Sequence, residues 1–88
     1  MSYLLEIDPL ADKQAQRLDR KTLKRLEKRM KELARAPYDP RLSKPVTMSR
    51  DRRSSRVGDW RLLYYVDEPR RAVVIAAICS RDKAYDKV

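Results

Sequence analysis

The chain has a single glycine, Gly58, and it stands between two stretches that read with a period of two. Ser54 to Val57 and Trp60 to Val66 are expected as strands, with Gly58-Asp59 as the hairpin turn between them. Asp67-Glu68-Pro69-Arg70 then supplies a second turn, and the apolar run Ala72 to Cys79 a further strand. The second half is therefore a three-stranded meander. On its middle strand Trp60, Leu62, Tyr64 and Val66 share one face, and Arg61, Leu63 and Tyr65 the other. The first set should meet the rest of the protein. Arg61 would then project from a face with nothing evident to cover it, and an arginine in mid-strand needs a reason.

The first half changes period. Ser2 to Ile7 alternates weakly and suits a short strand. Asp8-Pro9 is a helix start, an N-cap carboxylate followed by proline at the first helical position. Leu10, Ala11, Gln14, Ala15 and Leu18 recur at helical spacing, and Asp19 offers a second N-cap. Beyond it Leu23, Leu26, Met30, Leu33 and Ala34 trace one face of an amphipathic helix that Pro37 ends. Pro37-Tyr38-Asp39-Pro40 and Pro45 mark an irregular connection, and the loop around Asp39 to Asp51 is the one candidate for disorder. The order is β-α-α-β-β-β. This predicts a single α+β domain over residues 1–88, with a helix hairpin packed on one face of a small, mainly antiparallel sheet.

Charge narrows the function. Lys and Arg number 22 against 13 Asp and Glu, a formal +9 on 88 residues. Such a field draws polyanions and speeds their encounter. Much of it falls between Asp12 and Arg35, where solvated helix faces explain it at least as well as a binding surface. Charge alone leaves nucleic acid, acidic protein and anionic membrane open. No apolar stretch approaches the ~18 residues of a membrane span, and the amino-terminal residues lack a secretory pattern. The lone Cys79 lies in an apolar run and is expected as a buried structural thiol, in keeping with a reducing cytoplasm.

The run Arg56-Val57-Gly58-Asp59-Trp60-Arg61-Leu62-Leu63-Tyr64, the terminal Arg81-Asp82-Lys83-Ala84-Tyr85 and the element order together resemble the RelE/ParE toxin superfamily. The resemblance implies a toxin of a type II toxin–antitoxin system. More narrowly, it implies a RelE-like endoribonuclease that cleaves mRNA on the ribosome and halts translation, needing no metal or cofactor. By position, Arg61 matches an arginine that contacts the scissile phosphate. Arg81 matches one that neutralises or protonates the leaving oxygen, and Tyr85 a tyrosine that orients or stacks on substrate. Arg56 falls near a family lysine that helps activate the nucleophile. Here the strand before the turn reads Arg52-Arg53-Ser54-Ser55-Arg56 in place of the family lysines, and the chain has no histidine.

The chemistry asks a ribose 2′-hydroxyl to attack the adjacent phosphate, building charge on phosphorus and on the leaving oxygen. Guanidinium groups stabilise that charge through bidentate hydrogen bonds. An arginine base at neutral pH is improbable, since guanidinium releases its proton only near 12.5–13.8 or so. Arg61 and Arg81 are therefore assigned electrostatic roles. The base stays open, with Lys44 and Lys83 as ionisable candidates. Arg50, Arg52 and Arg53, with Lys44 and Lys83, are expected to track RNA phosphates beside Arg56, Arg61 and Arg81 on one side of the sheet. Two other readings remain: a ParE-like gyrase inhibitor, and a non-catalytic basic RNA-binding module. A cognate acidic antitoxin whose amphipathic helix blocks the arginine side is the expected partner, forming a hetero-oligomer.

Overall fold

The computed structural model describes residues 2–47 and 51–80. Its elements are β1 (Leu4–Ile7), α1 (Pro9–Gln16), α2 (Arg20–Arg35), β2 (Lys44–Pro45), β3 (Arg52–Val57), β4 (Trp60–Asp67) and β5 (Ala72–Ser80). They form a mixed five-stranded sheet in the order β1-β5-β4-β3-β2, in which only the β1–β5 pair is parallel. The α+β expectation holds, with one addition. A two-residue strand, β2, borders β3, because Lys44 and Pro45 run antiparallel to Ser54 and Arg53. Its brevity and its proline hid it from any periodicity argument.

Both helices begin where the sequence indicated. The Asp19 carboxylate accepts a hydrogen bond from the Thr22 N–H, a capping contact that satisfies one of the free donors of the first turn. Asp8 occupies the N-cap of α1 but makes no side-chain cap. The stripe of α2 is buried at Leu26, Met30, Leu33 and Ala34. Ala11 and Ala15 let α1 approach the sheet closely, whereas Leu10, expected on the same stripe, is 58% exposed. These residues meet Leu62 and Tyr64 of β4 and Val73, Ile75 and Ile78 of β5.

The core residues of β5 break strict alternation, and a bulge explains why. Leu63 pairs with Ala77 while Tyr64 pairs with Ile75, so Ala76 is the extra residue. The shift lets Ile75 and Ile78, three apart, face the same core. β1 ends opposite Ile75, leaving the outer edge of β5 unpaired beyond it. There the Gln14 side-chain oxygen accepts from the Ile78 N–H at 2.7 Å, so α1 supplies the missing partner. Cys79 lies past the bulge opposite Arg61 and is partly exposed, not buried as expected.

Two tight turns define the meander. Val57 pairs with Trp60 across Gly58-Asp59, and Gly58 has φ +60° while Asp59 does not share that sign. A two-residue loop with positive φ at its first position is the II′ arrangement, which matches the twist of the flanking strands. In the second turn Arg71 adopts φ +52°. Its guanidinium stacks over the Tyr3 ring at 4.4 Å. Nearby, Tyr3 and Tyr38 both donate their hydroxyl protons to Glu68, tying the amino-terminal strand and the α2–β2 connection to the β4–β5 turn.

Two measurements check this description. Gly58→Ala forces a side chain into the left-handed region and should cost about 1–2 kcal/mol. Urea unfolding should show a lower midpoint with an unchanged slope. Glu68 is held below its ordinary value of 4.5 by the phenol protons of Tyr38 and then Tyr3. Because the folded value is depressed, this stabilisation is present above pH 4.5 and is lost as pH falls through the folded value. Burial, then the bond to Glu68, pushes the Tyr38 phenol up to about 12. Its contribution is complete below 10 and is lost as pH rises towards about 12. Glu68→Gln should flatten the acid limb of melting temperature against pH.

Candidate nucleic-acid interface

The hairpin register decides which arginines meet. Arg56 of β3 pairs directly with Arg61 of β4, two cations opposite one another on the face turned away from the helices. Side chains so placed start about 4.5–5.5 Å apart at Cβ, and like charges there are destabilising. Neither arginine forms an ion pair among the described residues. Asp67, a possible partner for Arg61, is instead bonded to Arg70 at 3.3 Å. The Arg56 Nε makes only a long bond, 3.4 Å, to the Gly58 carbonyl.

Beside this pair the α2–β2 connection curls over the edge of the sheet to make a cleft of about 280 Å³. Among the described residues its cations are Arg29, Arg41, Lys44, Arg56 and Arg61, and no carboxylate lines it. The wall is held by polar fastenings. The Tyr64 hydroxyl lies 2.5 Å from the Pro37 carbonyl, to which it donates, and 2.6 Å from Ser43 Oγ. Ser55 Oγ donates to the Leu42 carbonyl at 2.7 Å. Arg41 is braced by Asp39, whose carboxylate accepts from its backbone N–H at 2.9 Å and from its guanidinium at 3.2 and 2.9 Å. Those bonds hold the Asp39 carboxyl below, and the Arg41 guanidinium above, their ordinary values.

The expected phosphate-tracking residues divide. Lys44, exposed at the sheet edge opposite Ser54, joins the cleft. Arg52 shares the face of Arg56 but stands four residues away, about 13 Å along the strand. There it stacks on the Tyr65 ring at 4.7 Å, with Nη1 shielded from solvent and making no hydrogen bond. Arg53 does not belong with them. Strand alternation turns it to the helix side, where its Nε bonds Ser43 Oγ at 3.1 Å and its guanidinium lies over Tyr38. Arg50, Arg81, Lys83 and Tyr85 lie outside the described residues.

Two cleft cations were not singled out in the sequence. Arg41 carries no pattern signal in an irregular connection. Arg29 had one, since it occupies the i+3 position of the buried set Leu26, Met30 and Leu33. An arginine on the apolar stripe of a helix must reach a polar partner.

Comparison with known proteins bears on the fold and the family. The family model for the ParE toxin of type II toxin–antitoxin system, parDE, matches residues 5–85. No curated protein matches by sequence. Among solved structures, the RelBE2 toxin–antitoxin complex from Mycobacterium tuberculosis aligns with a TM-score of 0.82 at 26% identity, over 92% of this chain and 100% of that one. A double arginine-to-alanine mutant of E. coli RelE in the free state aligns at 0.82 and 20% identity, over 97% of this chain and 90% of that one. The archaeal RelE–RelB complex from Pyrococcus horikoshii OT3 gives 0.74 at 24% identity, covering 92% and 97%. With a family model spanning nearly its whole length and the same fold in RelE toxins, the chain belongs to the ParE toxin family of type II toxin–antitoxin systems.

Proposed function

We propose that this toxin is a ribosome-dependent mRNA endoribonuclease, acting by attack of a ribose 2′-hydroxyl on the adjacent phosphate. The observation that carries the reading is the Arg56–Arg61 pair across β3 and β4, without an ion pair among the described residues, on the lip of a cleft whose charged lining residues are all cations. Held in this way, two guanidiniums gain most from a group with dense negative charge between them, and a phosphodiester passing into its pentacoordinate state is such a group. Arg61 grips the scissile phosphate and Arg56 stabilises the charge that develops on it. Arg81 neutralises the leaving oxygen and Tyr85 stacks on a base. Arg52, Lys44, Arg50 and Lys83 guide the strand on either side. The 2′-hydroxyl proton passes to solvent or to Lys44 or Lys83 in its neutral form, the leaving 5′-oxygen takes a proton from water, and the ribosome supplies the in-line geometry. No metal or cofactor enters the scheme.

A cognate acidic antitoxin completes the proposal. The solved complexes from M. tuberculosis and P. horikoshii hold toxin with antitoxin, and this chain leaves apolar side chains for a partner to cover. Leu4, Leu5 and Ile7 on the β1 edge and Leu10 on α1 are 38–62% exposed. An amphipathic helix seated on them forms a hetero-oligomer, and an acidic segment continuing from it across the sheet to the opposite β3–β2 edge blocks the cleft. No helix among the described residues is long and apolar enough to cross a membrane.

A second reading follows from the family model, which is that of ParE: inhibition of DNA gyrase through a protein contact. The two separate on induction in cells. The nuclease reading expects new mRNA 5′ ends within codons on translating ribosomes. Arg61→Ala should lower cleavage by about 10²–10³-fold, the usual loss for one donor to a transition-state oxyanion, with the fold retained. Intact mRNA together with a DNA-damage response would assign the toxin to gyrase instead.

A further inference from the structure

Arg29 is the one residue of α2 that reaches the cleft, and its bonds are distributed unequally. Nη1 lies 2.9 Å from Ser55 Oγ, 2.9 Å from the Arg56 carbonyl and 3.4 Å from the Leu42 carbonyl. Nε donates to Glu32 at 3.1 Å. Nη2 makes no hydrogen bond among the described residues. One edge of the guanidinium is thus committed to the protein, while the side chain still lines the cleft and is 24% exposed.

The placement matters for charge. Burial against α2 and β3 fixes this cation before any ligand arrives, so little side-chain entropy is lost on binding. Arg56 and Lys44, by contrast, are exposed and must be ordered. The Arg29 contacts also hold the β3 backbone at Arg56 and the wall at Leu42 in a fixed relation. Its Glu32 partner, like the Asp39 partner of Arg41, is outside the cleft lining.

We infer that Arg29 is a substrate-binding residue, whose fixed guanidinium on the cleft floor takes the phosphodiester next to the one gripped by Arg61. The inference rests on the RNA reading of the cleft and adds to it a second phosphate position, served by an α2 side chain. A single strand entering the cleft then has one phosphate at the Arg56–Arg61 pair and its neighbour between Arg29 and the Arg41–Lys44 wall. Both cations share charge with a carboxylate, Arg41 with Asp39 and Arg29 with Glu32, but Arg41 is 87% exposed and Arg29 only 24%, which leaves Arg29 as the better fixed cation of that subsite.

The test is binding of a fluorescent 2′-O-methyl RNA hexamer, which cannot be cleaved, to the full chain across a KCl series. Arg29→Gln should weaken binding about tenfold at low salt, as expected for a lost charged hydrogen bond. It should also lower the slope of log affinity against log salt by about 0.7, one phosphate's worth for a single strand. Ser55→Ala, which removes a fastening and no charge, should leave that slope unchanged. An Arg29→Gln protein with wild-type affinity and slope would overturn the inference, provided Arg61→Ala binds weakly in the same assay. If Arg61→Ala also binds like wild type, the RNA reading of the cleft has failed. Should Arg29→Gln not fold, side-chain NMR of the wild-type protein decides. The Arg29 Nε–Hε signal should move on adding the hexamer, and an unmoved Arg29 signal beside a shifting Arg61 would contradict the assignment.

Discussion

The register of the β3–β4 hairpin is the constraint from which the rest of the molecule follows. A two-residue turn at Gly58-Asp59 sets Val57 against Trp60, and every later pair is then determined. Ser55 and Leu62 face the helices, Arg56 and Arg61 face away, and Arg53 falls beside Tyr64. A slip of one residue would exchange the two faces, burying charge and exposing the core. The fold therefore cannot relieve the Arg56–Arg61 repulsion without losing its apolar contacts. An unfavourable pair is retained because the pattern that buries Leu62 and Tyr64 requires it.

Around this hairpin the protein spends its polar side chains on geometry. Tyr64, Ser43, Ser55 and Arg29 pin the α2–β2 connection to the sheet, and Asp39 braces Arg41 within it. A segment with two prolines and little regular structure becomes a fixed wall of the cleft. Acidic side chains are largely engaged elsewhere: Glu68 holds two tyrosines, while Glu6 and Asp67 hold Arg70. Lys44, Arg56 and Arg61 are left without an ion pair among the described residues, and they concentrate positive potential at the cleft.

How much of this was legible in the sequence depended on the kind of signal. Both helix starts, the Gly58-Asp59 turn and the two faces of β4 could be read because each leaves a local chemical mark. The bulge at Ala76 could not, since a continuous apolar run has no alternation to interrupt. Cys79 was misjudged for the same reason: the run hides which residues face the helices, and past the bulge Cys79 turns to the side of Arg61. Arg53 was misplaced because a run of arginines suggests a shared direction, whereas adjacent strand residues point oppositely. The Arg29 contacts with the cleft wall needed coordinates, because apart from the nearby Glu32 its partners are two backbone carbonyls and a serine distant in sequence.

The central claim is that the cationic cleft acts on one RNA phosphodiester through its own 2′-hydroxyl. End-group analysis of mRNA cut by the purified toxin on programmed ribosomes tests it most directly. The account predicts a 2′,3′-cyclic phosphate upstream, a 5′-hydroxyl downstream, and no cut where the ribose at the scissile position is 2′-deoxy. Cleavage that persists at a deoxyribose, or mRNA left whole at saturating toxin, would contradict it.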